Sequence, residues 1–190
     1  MPPTDLEGTF HDPLEALNNL LSHFDHRAVI IGGVAVGLLG QARFTEDLDA
    51  MVLLSVADIS NFLMVAKEEG IEPRIAQPEE FARRSRVLLL RHTPSQTDID
   101  ISLGVLPFEQ EMVRRSVVHK VDEALTIRLP TPEDLIIMKA VAHRPKDLLD
   151  IQGIIQRHPN LDRRRIRSWV TQFADLLEMP QLWDAIADWL

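Results

Sequence analysis

The chain contains no cysteine among its 190 residues. Disulfide bridges and thiolate zinc sites are thereby excluded, and a reducing compartment is permitted. No apolar run approaches the roughly 20 residues that cross a bilayer. The opening stretch MPPTDLEGTFHD is acidic and lacks a charged-then-apolar leader, so we expect no signal peptide, no membrane association and a cytoplasmic protein. There is no internal repeat, no low-complexity tract, no serine-centred triad and no Gly-x-x-x-x-Gly-Lys cradle. The seven histidines form no ligand set. His23 and His26, three apart at the end of a helical stretch, read as surface residues.

Basic charge is also scarce where it would matter for nonspecific nucleic-acid binding. The formal net charge is −9, and all of it comes from residues 1–80, with 14 acids against 4 bases, the remainder being close to neutral. A globally acidic chain is poorly suited to coating a phosphate backbone. Two local clusters stand out, Arg83, Arg84, Arg86 and Arg91, then Arg163, Arg164, Arg165 and Arg167. Either could serve as a local nucleic-acid contact, and solvated helix faces with intrahelical ion pairs are the plainer reading of both.

What is present is a patterned α+β sequence. Residues 12–25 read as an amphipathic helix with Asp12 as cap and Leu14, Leu17, Leu21 and Phe24 on one face. Short strands are expected at 28–31 and 48–54, with a helix at about 34–40 between them. A helix at 58–69 stops at Gly70, and 72–80, with Pro73 and Pro78, reads as loop. Strands at 87–90 and 98–103 flank a Pro94-Ser95 turn as an antiparallel hairpin. A helix at 107–118 precedes one or two strands within 121–129. Thr131-Pro132-Glu133-Asp134 is a helix start, with a cap, a first-turn proline and acids at the positive end. Helices at about 132–143, 145–157, 162–177 and 180–190 complete the chain. Trp169, Trp183 and Trp189 fall in the last two and read as core or interface anchors. At this length the chain fits an α+β core at 1–130 with a helical region at 131–190 packed on it.

The chemistry concentrates between Ala28 and Met51, AVIIGGVAVGLLGQARFTEDLDAM. A buried strand ends in Gly32-Gly33, whose bare backbone lets a large anion approach the N–H groups. A helix starting there points its positive end at that anion. Asp47 and Asp49, two apart on a strand, leave the same face. Two carboxylates beside a phosphate cradle suit divalent metal held against a triphosphate. Asp98 and Asp100 form a second such pair, and a pair on one face repels unless a cation or hydrogen bond offsets it. Lys139 lies inside the apolar run LIIMKAVA and must reach solvent, an acid or a phosphate.

Thirteen residues separate Gly33 from Asp47. Strand, Gly-Gly, spacer and Asp-x-Asp together resemble the signature of nucleotidyltransferases of the DNA polymerase β superfamily. The variant Arg43-x-Thr45-x-Asp47-x-Asp49 is similar to the abortive-infection, AbiEii-like branch, many of whose members are toxins of toxin–antitoxin pairs. The likeness covers most of residues 27–151. It implies a nucleotidyltransferase-like mixed sheet flanked by helices, followed by helices. It also implies a magnesium-dependent enzyme moving an NMP from an NTP to an acceptor hydroxyl, with pyrophosphate released. The acceptor it implies is an RNA end or a protein, and a cognate antitoxin is the implied partner.

By this resemblance Asp47 and Asp49 hold one or two magnesium ions, with a third carboxylate beside them. In similar sequences that acid precedes an apolar stretch, a glycine and a Pro-Phe pair. Asp100, ahead of Gly104 and Pro107-Phe108, fits that register, and Asp98 is the alternative. Gly32, Gly33, Arg43, Thr45, Lys139 and Asp147 fall on the nucleotide side. Lys139 follows Glu133-Asp134-Leu135 as in related sequences. Asp147 belongs to an Arg-x-Lys-Asp-x-x-Asp segment, Arg144 to Asp150. A small-molecule, antibiotic-type nucleotidyltransferase and a catalytically silent nucleotide-binding or regulatory partner are the other readings. The intact carboxylates argue against silence.

Overall fold

A computed structural model describes residues 10–24, 27–41 and 45–190. Its centre is a five-stranded mixed sheet in the order β1-β2-β5-β4-β3. The strands are β1 (Ala28–Ile31), β2 (Asp47–Val52), β3 (Ile71–Pro73), β4 (Val87–His92) and β5 (Thr97–Leu103). Every pairing is antiparallel except the central one, β2 with β5, which is parallel. Parallel neighbours need a long crossover. Here it consists of α3 (Ile59–Glu68), β3, α4 (Pro78–Ser85) and β4.

The period-two pattern works as the sequence demands. Ile99, Ile101 and Leu103 of β5 are buried, while Asp98, Asp100 and Ser102 are half-buried on the opposite face. β4 repeats this, burying Leu88, Leu90 and His92 and leaving Val87, Leu89 and Arg91 on the other side. One sheet face is thus mainly apolar, with His92 and Thr97 at its edge, and the other carries the acids. α1 (His11–Ser22) buries Leu14, Leu17, Leu20 and Leu21 in the core. A separate hairpin, β6 (Val117–Lys120) with β7 (Thr126–Leu129), lies beside β1.

α5 (Pro107–Arg115), α6 (Pro132–Ala142), α7 (Pro145–Arg157), α8 (Arg163–Leu176) and α9 (Gln181–Ala187) make up the rest. α2 (Gly32–Leu39) packs on β1 and β2 and also meets α6 and α7. The α7 end is tied to the α2 end directly. Arg157 Nη1 donates to the Gly40 carbonyl at 2.8 Å, and His158 Nε2 meets the Leu39 carbonyl at 2.7 Å.

Several boundaries correct the sequence reading. The stretch 72–80 holds the end of β3 and the start of α4. Pro78, which reads as a loop marker, is the first residue of α4, where its missing N–H costs nothing. Glu79 and Glu80 in the first turn, with Arg83 and Arg84 in the last, suit the helix dipole. The helix expected to reach 118 stops at Arg115, and the first hairpin strand begins at Val117 rather than after 120. The helix expected from 34 begins at Gly32, and β2 ends at Val52.

Candidate active site

The local fold around Gly32 explains both glycines. Gly32 adopts a φ of +62°, a conformation that disfavours any side chain. A Cβ there would fall 1.9 Å from Asp49 Oδ2, and one on Gly33 would fall 2.4 Å from Thr45 Oγ1. The glycines therefore make room for Asp49 and Thr45 to lie against the backbone where β1 turns into α2.

Thr45 directs its hydroxyl at Asp47, 3.0 Å from Oδ1 and 3.2 Å from the carbonyl oxygen. It orients the first carboxylate of the pair. Asp47 is in register with Asp98, and Asp49 with Asp100, across the parallel β2–β5 pair. Four carboxylates thus share one face of two adjacent strands.

Only some of them face the same space. A cavity of about 240 Å³ is lined by Gly32, Gly33, Thr45, Asp47, Asp49 and Asp100 on the sheet side. Leu135, Met138, Lys139, Ala142, Arg144 and Lys146 line it from the α6–α7 side. Asp98 is not part of that wall. Volume alone does not mark the site, since an open recess near Arg27 and Gly104 reaches about 530 Å³. Convergence of acids, cations and bare backbone does.

The acids have different electrostatic settings. Burial pushes the Asp49 carboxyl up to about 6, and repulsion from Asp47 and Asp100 adds to this, while Lys139 and Arg144 pull the other way. Burial also raises Asp100, against the opposing pull of Arg74. Asp98 is lowered, mainly by its hydrogen bond from Arg91, with Arg74 contributing. The geometry matches. Arg91 Nε lies 2.7 Å from Asp98 Oδ1, and Arg74 Nη1 2.9 Å from Asp98 Oδ2. Arg74 Nη2 also donates to Asp100 Oδ1.

Lys139 does not snorkel to solvent. It is buried, with Nζ 2.9 Å from Asp147 Oδ1 and 2.9 Å from Asp150 Oδ2. Asp147 is fully buried and also accepts from Arg144, at 2.6 Å from Nε and 3.1 Å from both Nη2 and the backbone N–H. Burial would raise Asp147, and the bonds from Arg144 and Lys139 overcome it, leaving its carboxyl lowered. Asp147 thus secures Lys139 and also fastens the start of α7.

Sequence reasoning placed Asp47, Asp49, Asp100, Gly32, Gly33, Thr45 and Lys139 as candidates, and all of them line the cavity. Arg43 lies outside the described residues. Asp147 reaches the site through Lys139 and Arg144. Arg74 and the pairing role of Asp150 were missed. The need for a cation between Asp98 and Asp100 was visible, but Arg74 sits 24 residues upstream of the nearer one. Asp150 stood in the quoted Arg-x-Lys-Asp-x-x-Asp segment without a role.

The arginine clusters dissolve into separate contacts. Arg83 and Arg84 pair with Glu79 and Glu80 within α4, and exposed pairs of this kind contribute little. Arg86 donates to the Leu103 carbonyl. Arg165 bridges the buried Asp134 at 2.7 Å and Glu111 at 2.8 Å, while Arg167 stacks over Trp183. Trp169 packs on Phe108 and Phe173.

The chain matches the family description "Nucleotidyl transferase AbiEii toxin, Type IV TA system" over residues 15–183. It belongs to that family. This nucleotidyltransferase membership makes it an enzyme of the NMP-transferring class. Among solved structures, the antibiotic-resistance factor ANT(2'')-Ia is 14% identical, with 95% of this chain and 97% of that one covered at a TM-score of 0.56. An antigenic nucleotidyltransferase-like protein from Paracoccidioides brasiliensis is 16% identical, with 94% and 91% covered at 0.52. At such identities the likeness establishes the mixed α/β nucleotidyltransferase fold. No curated protein matches the chain. Among the described residues of this AbiEii-family enzyme, no helix is long and apolar enough to cross a membrane.

Nucleotidyltransferases of this kind generally use a divalent metal. Among the described residues, no three His, Cys, Asp or Glu side chains close into a ready-made metal cage. Asp47, Asp49 and Asp100 nevertheless line one cavity, and burial and mutual repulsion push Asp49 toward its neutral form. Such a donor set fits a hard cation. Magnesium is commonly held by one or two carboxylates together with substrate phosphates and water, rather than by a protein cage.

Proposed function

We propose that this enzyme transfers an NMP from a magnesium-bound NTP to the hydroxyl of an RNA end or a protein, acting in the cytoplasm as the toxin of a toxin–antitoxin pair. One observation carries the reading. Asp49 and Asp100 are in register on adjacent strands, and Lys139 lies across the same cavity.

In this reading Asp47 and Asp49 are the residues that would hold magnesium, with Asp100 beside them. When bound, the metal would offset negative charge on the entering and leaving oxygens. The chain's own groups do the rest. The backbone at Gly32 and Gly33, left bare at the start of α2, receives the outer phosphates. Lys139, held by Asp147 and Asp150, sets a fixed positive charge toward them, and Arg43 and Thr45 complete the nucleotide side. Asp100 accepts the proton of the acceptor hydroxyl. That oxygen forms its bond to the α-phosphorus as the bond to the bridging oxygen breaks, and pyrophosphate leaves.

The deciding experiment supplies each of four α-labelled NTPs, with magnesium, to the protein in a whole-cell extract. Label is then sought in the RNA and protein pools. Transfer to either that is lost in Asp49→Asn supports the proposal. Transfer that persists in well-folded Asp49→Asn, or no transfer with any NTP, overturns it.

A further inference from the structure

Asp98 shares its strand face with Asp100 yet is absent from the cavity wall. Its partners form a chain of contacts. Arg91 Nε meets Asp98 Oδ1 at 2.7 Å, and Asp98 Oδ2 meets Arg74 Nη1 at 2.9 Å. The other arm of the same guanidinium, Nη2, takes Asp100 Oδ1. The backbone places all four groups for this. Arg91 pairs with Asp98, and Leu89 with Asp100, across β4 and β5. Arg74 leaves the end of β3 with its N–H on the Leu89 carbonyl at 3.1 Å. Its side chain therefore crosses β4 at the level of the two acids.

We infer that Arg74 is a positioning residue for the transfer reaction, and that Asp98, steadied by Arg91, is its anchor. The inference rests on the proposed role of Asp100. The planar guanidinium fork joins two carboxylates at once, which a lysine point charge does not reproduce. With Oδ1 engaged by Arg74, the rotation of the Asp100 carboxyl is fixed, and Oδ2 is the oxygen left to meet the acceptor hydroxyl. The second Asp-x-Asp pair thus divides its labour. Asp100 works at the cavity, and Asp98 never touches the substrate but sets the orientation of the one that does. Arg74 is one guanidinium from the reacting oxygen, and Arg91 is two contacts further out.

The test compares Arg74→Gln, Arg74→Lys, Asp98→Asn and Asp100→Asn in the labelled-NTP extract assay, beside NTP–magnesium affinity and thermal melting. Arg74→Gln and Asp98→Asn should each lower kcat by about 10- to 100-fold, the cost of slight misplacement of a reacting group. The KM for NTP should stay within about threefold, because nucleotide binding is untouched. Arg74→Lys should not rescue, and the Arg74→Gln/Asp98→Asn double variant should be no worse than the poorer single one. Full activity in folded Arg74→Gln or Asp98→Asn, rescue by lysine, or a rise in activity overturns the inference. If Asp100→Asn is inactive in those cases, the proposed function still stands. A second readout needs no acceptor. In a crystal structure of Asp98→Asn the Arg74 guanidinium should leave Asp100, and its remaining in place overturns the anchoring role.

Discussion

Asp49 and Asp100 stand directly opposite one another on β2 and β5, the single parallel pair in an otherwise antiparallel sheet. One is raised to about 6 by burial and by its acidic neighbours, and the other is raised by burial against the pull of Arg74. Their opposition stores repulsion in the metal-free protein.

That repulsion predicts a pH-dependent gain from Asp49→Asn. The native carboxyl titrates near 6 and the unfolded one near 3.8, so the native state binds more protons between those values. Wild-type stability should therefore fall as pH rises from about 4 to 6 and then level. The loss from this group is at most roughly 3 kcal/mol. Asp49→Asn removes it. Without metal the variant should be more stable than wild type at pH 7.5, and the advantage should vanish at pH 4, as read by urea unfolding. Transfer by the same variant should drop at least about 100-fold.

Gly32→Ala tests the close approach at the strand-to-helix turn. The residue's φ of +62° disfavours any side chain, and the new Cβ would strike the Asp49 carboxylate. The backbone conformation alone costs about 1–2 kcal/mol. Binding of NTP with magnesium should fall well beyond what that loss of stability explains, because Asp49 must move. Calorimetric affinity equal to wild type would show that this approach is not needed.

Removing Lys139 leaves Asp147 and Asp150 buried without their ammonium partner. Lys139→Met should cost about 3–5 kcal/mol. The sign of the pH dependence is opposite to that of Asp49. The lowered Asp147 carboxyl contributes stability that is present above the ordinary value of 3.8 and lost as pH falls through its native value. The acid loss of stability should be smaller in Lys139→Met, where one of the bonds that lowers Asp147 is gone. A variant within 1 kcal/mol of wild type at pH 7 would mean the buried pair is not holding α6 to α7.

Magnesium and an NTP together should raise Tm more than either alone, since a ligand that binds only the native state stabilises it as RT ln(1 + [L]/Kd). At a hundred times Kd the gain is about 2.7 kcal/mol. Additive or absent shifts with all four NTPs would argue against a shared metal–triphosphate site.

Much of this site was legible because its parts are local. Gly32-Gly33 and Asp47-x-Asp49 lie within one strand–helix–strand unit, where spacing and the two-residue strand period suffice. The alternation in β5 likewise gave the shared face of Asp98 and Asp100. Which of the two faces the cavity was not local information. The resemblance favoured Asp100, while the contacts of Asp98 depend on Arg74 and Arg91, brought in by β3 and β4. A three-residue edge strand and an eight-residue helix opening on proline leave too weak a pattern to be separated from a loop. Lys139 was flagged by its apolar surroundings, but its two acids were fixed only by the way α7 folds back along α6 after the left-handed turn at His143.

That late-arriving lysine has a consequence for a chain made from its N-terminus. The carboxylate face is complete once β5 has been synthesised. The wall opposite it, from Leu135 to Lys146, belongs to helices encoded some thirty residues later, and the two acids that hold Lys139 later still. A ribosome-bound chain ending before α6 therefore displays clustered negative charge with nothing across from it. The finished cavity exists only after α7 has emerged and docked on α2, so the wall that faces the carboxylates is the last part of the site to form.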